Sequence, residues 1–159
     1  MSSLLAASLY QWLMFLHVLA AMIWLGGLVT LIALSGYILR SGDRQSIGRF
    51  SASLRRIGPL TLAPSTIAVV SLGIGLVLDS HNAWHFSQGW IILALALYAT
   101  AFLIGAAFQS RAAIALQRAV DAGAHELAIR QLRRWAWGMR LILALLVLIT
   151  WDMVVKPTL

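Results

Sequence analysis

The chain has 159 residues, of which 61% are hydrophobic and only 11% charged. A soluble domain carries roughly a quarter charged residues, so this chain cannot coat an aqueous globule with polar groups, and the bilayer is its natural solvent. The net charge of +7 falls in clusters between long apolar runs, which excludes the continuous basic face of a nucleic-acid binder; the absence of cysteine excludes a disulfide framework and a thiolate metal site.

Crossing the hydrocarbon takes about 20 apolar residues in a helix, and four segments qualify. The first runs from about Leu9 to Leu39 without Asp, Glu, Lys or Arg. It is longer than a span needs, so it is expected to tilt or project beyond the membrane. It lacks a basic leader region, and its apolar run is too long for a cleaved signal peptide. One ionisable residue interrupts it, His17. At 100° per residue, His17 lies within about 20° of Trp24 and Leu28, about 40° from Leu13 and Ala21, and near 60° from Ala20. The stripe combines a histidine, small residues and a large ring, and small residues let a helix or a flat ligand approach. Tyr10 and Trp12 mark an interface, which puts His17 roughly 8–10 Å below that surface. Gly26 and Gly27 are expected to permit close packing.

The second span runs from about Ile57 to Leu78. Pro59 lies near its start, where a missing N–H does little harm, whereas Pro64 lies further in and is expected to kink it. The third begins near Gln88, stays free of charge to Ser110 and continues as a helix through Arg111 and Arg118. Between spans three and four, "VDAGAHELAIRQLRRW" reads as a short helical piece. Glu126 and Arg130 have i, i+4 spacing; a solvated extension of the bundle is the favoured reading, with Leu127 and Leu132 resting on the membrane surface as the alternative, and His125 reads as a surface histidine. The fourth span runs from about Trp135 to Val155, stopped by "KPTL". No internal repeat is evident, and the whole chain, 1–159, reads as one integral membrane domain.

The loops set the orientation. The first connection holds Arg40, Arg44, Arg49, Arg55 and Arg56, and the third holds Arg111, Arg118, Arg130, Arg133 and Arg134. The middle connection, "DSHNAWHFSQG", has neither Lys nor Arg. The positive-inside rule therefore places connections one and three in the cytoplasm and both termini outside. The arginines are expected to hold the protein in place and to touch anionic headgroups. The expected fold is an all-α, four-helix transmembrane bundle, N-out and C-out, in a bacterial inner membrane.

Polar groups gather at the outer level. Asp79, His81 and His85 follow span two, Asp152 and Met153 close span four, and Trp84, Trp90 and Trp151 line the interface. Asp79 reads as an N-cap or a solvated carboxylate. Asp152 and Lys156, at i, i+4, are spaced for a local salt bridge. His17, an ionisable residue of a type that usually faces the bundle interior, then admits three readings. It is structural, hydrogen-bonded across to another helix; it is an axial haem ligand; or it binds copper with nearby thioethers, Met14 lying at i−3. His81 and His85 have the spacing of a helical metal pair but lie in a loop with Asn82 between them. No catalytic triad, paired-carboxylate site or zinc-hydrolase motif occurs, so no catalytic residue is assigned and the reading leans away from an enzyme.

The segments "FLHVLAAMIWLGGLVTL", "GRFSASLRRIGPLTLAPSTIAVVSLGIGLVL", "GWIILALALYATAFLIG" and "WDMVVKP" resemble a family of bacterial integral membrane proteins of unknown function. The most specific parts are His17, Trp24, Gly26 and Gly27, Arg49 to Ser51, and the Met-Val-Val-Lys-Pro end. The first span is similar to that of the copper resistance D (CopD) membrane proteins, which implies a helical bundle with a copper role. A fainter likeness links it to the HemJ-type protoporphyrinogen oxidases, which bind haem b; where those continue with Leu-Pro-Arg-Leu, this chain has "LGGLVTL". The expected function is a CopD-like membrane protein with a haem b or copper site at His17, Trp24, Ala20 and Ala21, joined for a metal by Met14, His81 and His85. The alternative is a non-catalytic accessory subunit of a larger membrane complex, or a homo-oligomer, with His17 structural. A porphyrinogen oxidase is the third reading.

Overall fold

A computed structural model describes residues 8–81 and 83–157. It has six α-helices: α1 (Leu9–Ser41), α2 (Arg44–Ile57), α3 (Ala63–Leu78), α4 (Gly89–Leu103), α5 (Ser110–Asp121) and α6 (His125–Val155). A π-helical turn, Gly58–Leu62, welds α2 to α3, and a second, Ile104–Gln109, welds α4 to α5. Four continuous helices result, of 33, 35, 33 and 31 residues, each long and apolar enough to cross a membrane. The protein is an all-α, four-helix transmembrane bundle. A helix of 33 residues is about 50 Å long, against a hydrocarbon core of about 30 Å, so the bundle projects well beyond it. The second and fourth helices begin at Arg44 and His125, well before the expected Ile57 and Trp135, whereas the first and third end close to the expected positions. Both described termini and the Asp79–Gln88 connection lie at the other end, called here the tryptophan end.

Local chemistry starts and stops these helices. Ser8 caps α1 by accepting from Gln11 N–H, while the Gln11 side chain accepts from Ser8 N–H, a reciprocal pair that satisfies two orphan donors. Gly42, at φ 64°, ends α1 in the left-handed conformation that glycine adopts without strain. Asp43 caps α2 through Gln45 N–H at 3.3 Å and Ser46 N–H at 2.7 Å. The irregularity in the second span is the turn at Gly58–Leu62, ahead of Pro64 and not a kink at it. Pro59 has no N–H and its ring crowds the preceding carbonyl; the wider turn relieves this, and Ala63 N–H reaches back to Gly58 O. Ser65 and Thr66 hydroxyls add donors to the Thr61 and Leu62 carbonyls, both at 2.7 Å.

Packing is uneven. α1 and α6 lie side by side at the centre, each with one buried stripe along its length: His17, Ala20, Trp24, Leu28, Leu31, Ser35 and Ile38 on α1, answered on α6 by residues from Ala128 to Asp152. α3 packs on α1 and α4 on α6, but α3 and α4 share no substantial contact. At the tryptophan end the order is therefore α3, α1, α6, α4, with an open side between the outer pair. At the arginine end α2 and α5 pack together and on α6, closing the bundle. Ile47, Phe50, Leu116 and Leu132 are buried there, Phe50 meeting Trp135 edge-on at 5.4 Å, and each contributes about 1.5–3 kcal/mol where water is the competing solvent. Leu132 is fully buried, neither on a solvated extension nor on the membrane surface, whereas Leu127 is exposed. His125 is half-buried at the start of α6. Arg140 falls inside the expected fourth span; it is exposed, with its guanidinium over the Trp137 ring at 5.4 Å, as a charge does when its stem runs along apolar surface.

Candidate functional site: a cleft beside His17

The open side between α3 and α4 is a cleft of about 480 Å³, walled by all four spans and by Trp84 and Phe86 of the connection between α3 and α4. Its lining is almost wholly apolar, with His17 and Lys156 the basic groups in it and no carboxylate among its residues. Trp24, Tyr98, Trp84 and Trp90 supply flat walls. Trp24 and Tyr98 meet edge-on at 6.1 Å, and Trp84 and Trp90 at 5.3 Å. Two hydrogen bonds brace it. Tyr98 Oη donates to Thr66 O at 3.1 Å, tying α4 to α3, and Trp84 Nε1 donates to the Tyr10 hydroxyl at 3.3 Å.

His17 is buried, and its Nδ1 lies 2.9 Å from the Val69 carbonyl oxygen. A carbonyl only accepts, so Nδ1 carries the proton and the neutral ring keeps its lone pair on Nε2. Nε2 has no hydrogen-bond partner, and the ring lines the cleft. Gly73 makes this geometry possible: a Cβ there would stand 3.1 Å from His17 Cε1. Gly75 is less demanding, since a Cβ there would meet the Leu13 side chain at 3.5 Å, an ordinary van der Waals contact. Gly27 faces Leu62 at 3.2 Å, but Gly26 has open space beside it; of the expected close-packing pair, only Gly27 serves that purpose.

The residues expected around His17 divide. Met14, Ala21 and Trp24 line the cleft with it, and Met153 joins them from α6. Ala20 does not: it is buried in the core between helices. His81 and His85 are exposed in the connection, outside the cleft lining. His81 adopts φ 49° in a turn, so the helical spacing that would pair it with His85 is not realised. Among the described residues no group of three or more His, Asp or Glu side chains gathers for a metal. Asp79 is the C-cap of α3, not an N-cap. The expected Asp152–Lys156 bridge is replaced by a different arrangement. Lys156 Nζ lies over the Trp84 ring at 4.0 Å and near Trp90 at 5.6 Å, a cation–π contact at the cleft mouth. Asp152 is fully buried, and both its oxygens lack a hydrogen-bond partner.

Sequence reasoning missed Gln109, a residue of the third span. The second π-turn, in which Ser110 N–H bonds Gly105 O, brings Gln109 into the core, where Nε2 donates to the Trp135 carbonyl at 3.0 Å. Gly138 admits it; a Cβ there would stand 2.8 Å from Phe108 Cε1 and 2.9 Å from the Gln109 amide. The signal available was a lone amide in an apolar run.

A family model described as "Predicted integral membrane protein (DUF2269)" matches residues 11–157, nearly the whole chain. No curated protein and no solved structure matches it.

Proposed function

We propose that this chain, which belongs to the DUF2269 family of predicted integral membrane proteins, is a bacterial inner-membrane binding protein of the CopD-like superfamily that holds haem b in the cleft, with His17 Nε2 on iron. The carrying observation is the His17 ring, which lines an apolar cleft with Nδ1 donating to the Val69 carbonyl and Nε2 without a hydrogen-bond partner. A backbone acceptor on one imidazole nitrogen fixes the tautomer and orients the other for a metal. The volume lies within the range of small-molecule sites, about 300–1,000 Å³, and aromatic rings and the small residues Ala21, Gly73 and Ala94 suit a flat macrocycle. The haem would supply one-electron chemistry; the chain would bind it, orient it and keep water from it.

Copper is the second reading. Met14 and Met153 share the cleft with His17, and two thioethers with one imidazole suit Cu(I). His81 and His85 drop out of that set. Porphyrinogen oxidation is less well supported, because no Asp or Glu lines the cleft to move protons. In this reading the arginine end faces the cytoplasm, both termini lie outside, and the cleft occupies the outer half of the membrane.

The test is visible absorption and metal analysis on gently solubilised protein from cells supplied with haem and copper. The expected result is a Soret band that His17→Ala removes while the variant stays monodisperse, and that Gly73→Ala shifts by pressing on the ring. Stoichiometric copper without a Soret band, lost in His17→Ala, would replace haem by copper. Colourless, metal-free protein co-purifying with fixed partners would overturn both in favour of an accessory subunit.

A further inference from the structure

We infer that the arginine end carries a phosphate-recognition site between α2 and α5, built by Arg55, Arg56 and Gln117, that takes the phosphodiester of an anionic lipid. A second cavity, about 310 Å³, lies there, lined by Ala52, Ser53, Arg55, Arg56 and Gln117. Its level in the membrane follows from the chain on either side. Arg55 and Arg56 are the last charged residues of α2; the π-turn after Ile57 is uncharged, and its Leu60 is 76% exposed. The two guanidiniums therefore stand where the charged surface gives way to the lipid-facing one, at headgroup depth.

The donor set suits a phosphate. No ion pair forms among the described residues, so the charge of Arg55 and Arg56 is not spent on a carboxylate. A guanidinium offers a planar fork that matches two phosphate oxygens. Gln117 is held in place from both sides: its Oε1 accepts from Ser51 Oγ at 2.8 Å, and its Nε2 donates to Asp121 Oδ1 at 2.7 Å. A primary amide has two N–H groups, so one remains for the ligand. Ser53 contributes none, since its hydroxyl already donates to the Arg49 carbonyl at 2.9 Å. Inorganic phosphate shares this chemistry; the position beside exposed Leu60 favours a ligand with acyl chains. The site is independent of the cleft at His17.

The experiment is native mass spectrometry of the full chain in mild detergent, titrated separately with phosphatidylglycerol, phosphatidylcholine and inorganic phosphate. Wild type is expected to retain one phosphatidylglycerol, in preference to phosphatidylcholine. The double variant Arg55→Gln/Arg56→Gln is expected to bind it roughly ten- to thirtyfold more weakly, about three- to fivefold per arginine. The control Arg130→Gln/Arg133→Gln, which removes the same charge elsewhere, is expected to keep it. Equal weakening in both double variants would reduce the site to diffuse attraction and overturn the proposal. Retention unaffected by Arg55→Gln/Arg56→Gln would do the same. Binding of inorganic phosphate that displaces the lipid would reassign the site to a soluble anion.

Discussion

At the scale of single residues, three side chains set the chemistry and one glycine sets the spacing. His17 lines the cleft with its Nδ1–H donating to the Val69 carbonyl, which leaves Nε2 without a hydrogen-bond partner. Lys156 spends its charge on Trp84 and Trp90, so Asp152 is left buried and unpartnered. An ionised carboxylate without partners is far costlier to bury than a neutral amide. Asp152→Asn is therefore expected to keep or raise the melting temperature in detergent, and a fall of several degrees would show that the carboxylate pairs with a cation in the folded protein. Gly138 lies against Phe108 and Gln109. Gly138→Ala is expected to cost about 1–3 kcal/mol in overpacking, set against roughly 1 kcal/mol gained by alanine in a helix. Gly36→Ala is the control, because nothing lies within 4 Å of its Cβ position; it is expected to be neutral or stabilising in the same melt. The histidine's stripe on α1 was legible from helical period. The partner of Lys156 was not, because i, i+4 spacing permits a salt bridge without requiring one, and two rings from a distant segment compete for the cation.

At the scale of elements, α2 and α5 at the arginine end are amphipathic and carry charges, whereas α3 and α4 hold no charged residue. α2 is anchored at its start by Asp43, whose carboxyl is held below the usual carboxylate range by hydrogen bonds from Ser46, side chain first and then backbone, with Gln45 N–H and the Arg49 charge adding to it. A depressed folded value means that the cap stabilises fully above the unfolded value, about 3.9, and is lost as pH falls through the folded one. Amide hydrogen exchange in the first turn of α2 is expected to be slow and flat from neutral pH to about pH 5, on the same reference value, once corrected for intrinsic rates. Faster opening is expected below that, and Asp43→Ala is expected to open the turn at every pH. Unchanged protection in Asp43→Ala would show that tertiary contacts hold the turn instead. The proline pair was readable as a disturbance in span two. Its form as a π-turn, beside which the Ser65 and Thr66 hydroxyls bond the Thr61 and Leu62 carbonyls, emerges only in the folded chain.

At the scale of the molecule, a closed arginine end supports an open tryptophan end. Below, α2 and α5 complete the ring around α1 and α6; above, α3 and α4 part and leave the cleft. The chain has no cysteine, so single-cysteine variants report topology cleanly. With an impermeant maleimide, Ala83→Cys is expected to react in intact cells and Gln45→Cys only after the membrane is opened. The reverse result would invert the orientation, and equal labelling of both would contradict a bundle whose connections alternate sides.

The amino-acid sequence by itself determined the number of spans, the gathering of arginine in the first and third connections and the place of His17 on a helix face. These are local properties, summed along one segment or set by a 100° step. Tertiary structure alone decided that α3 and α4 separate, that Ala20 turns to the core while Ala21 turns to the cleft, that Leu132 is buried and that Gln109 reaches Trp135. The physical reason is the solvent. In lipid an apolar side chain is equally at home outside or between helices, so hydropathy marks no buried face, and the choice falls to small residues, turns and polar contacts that act only once the helices meet.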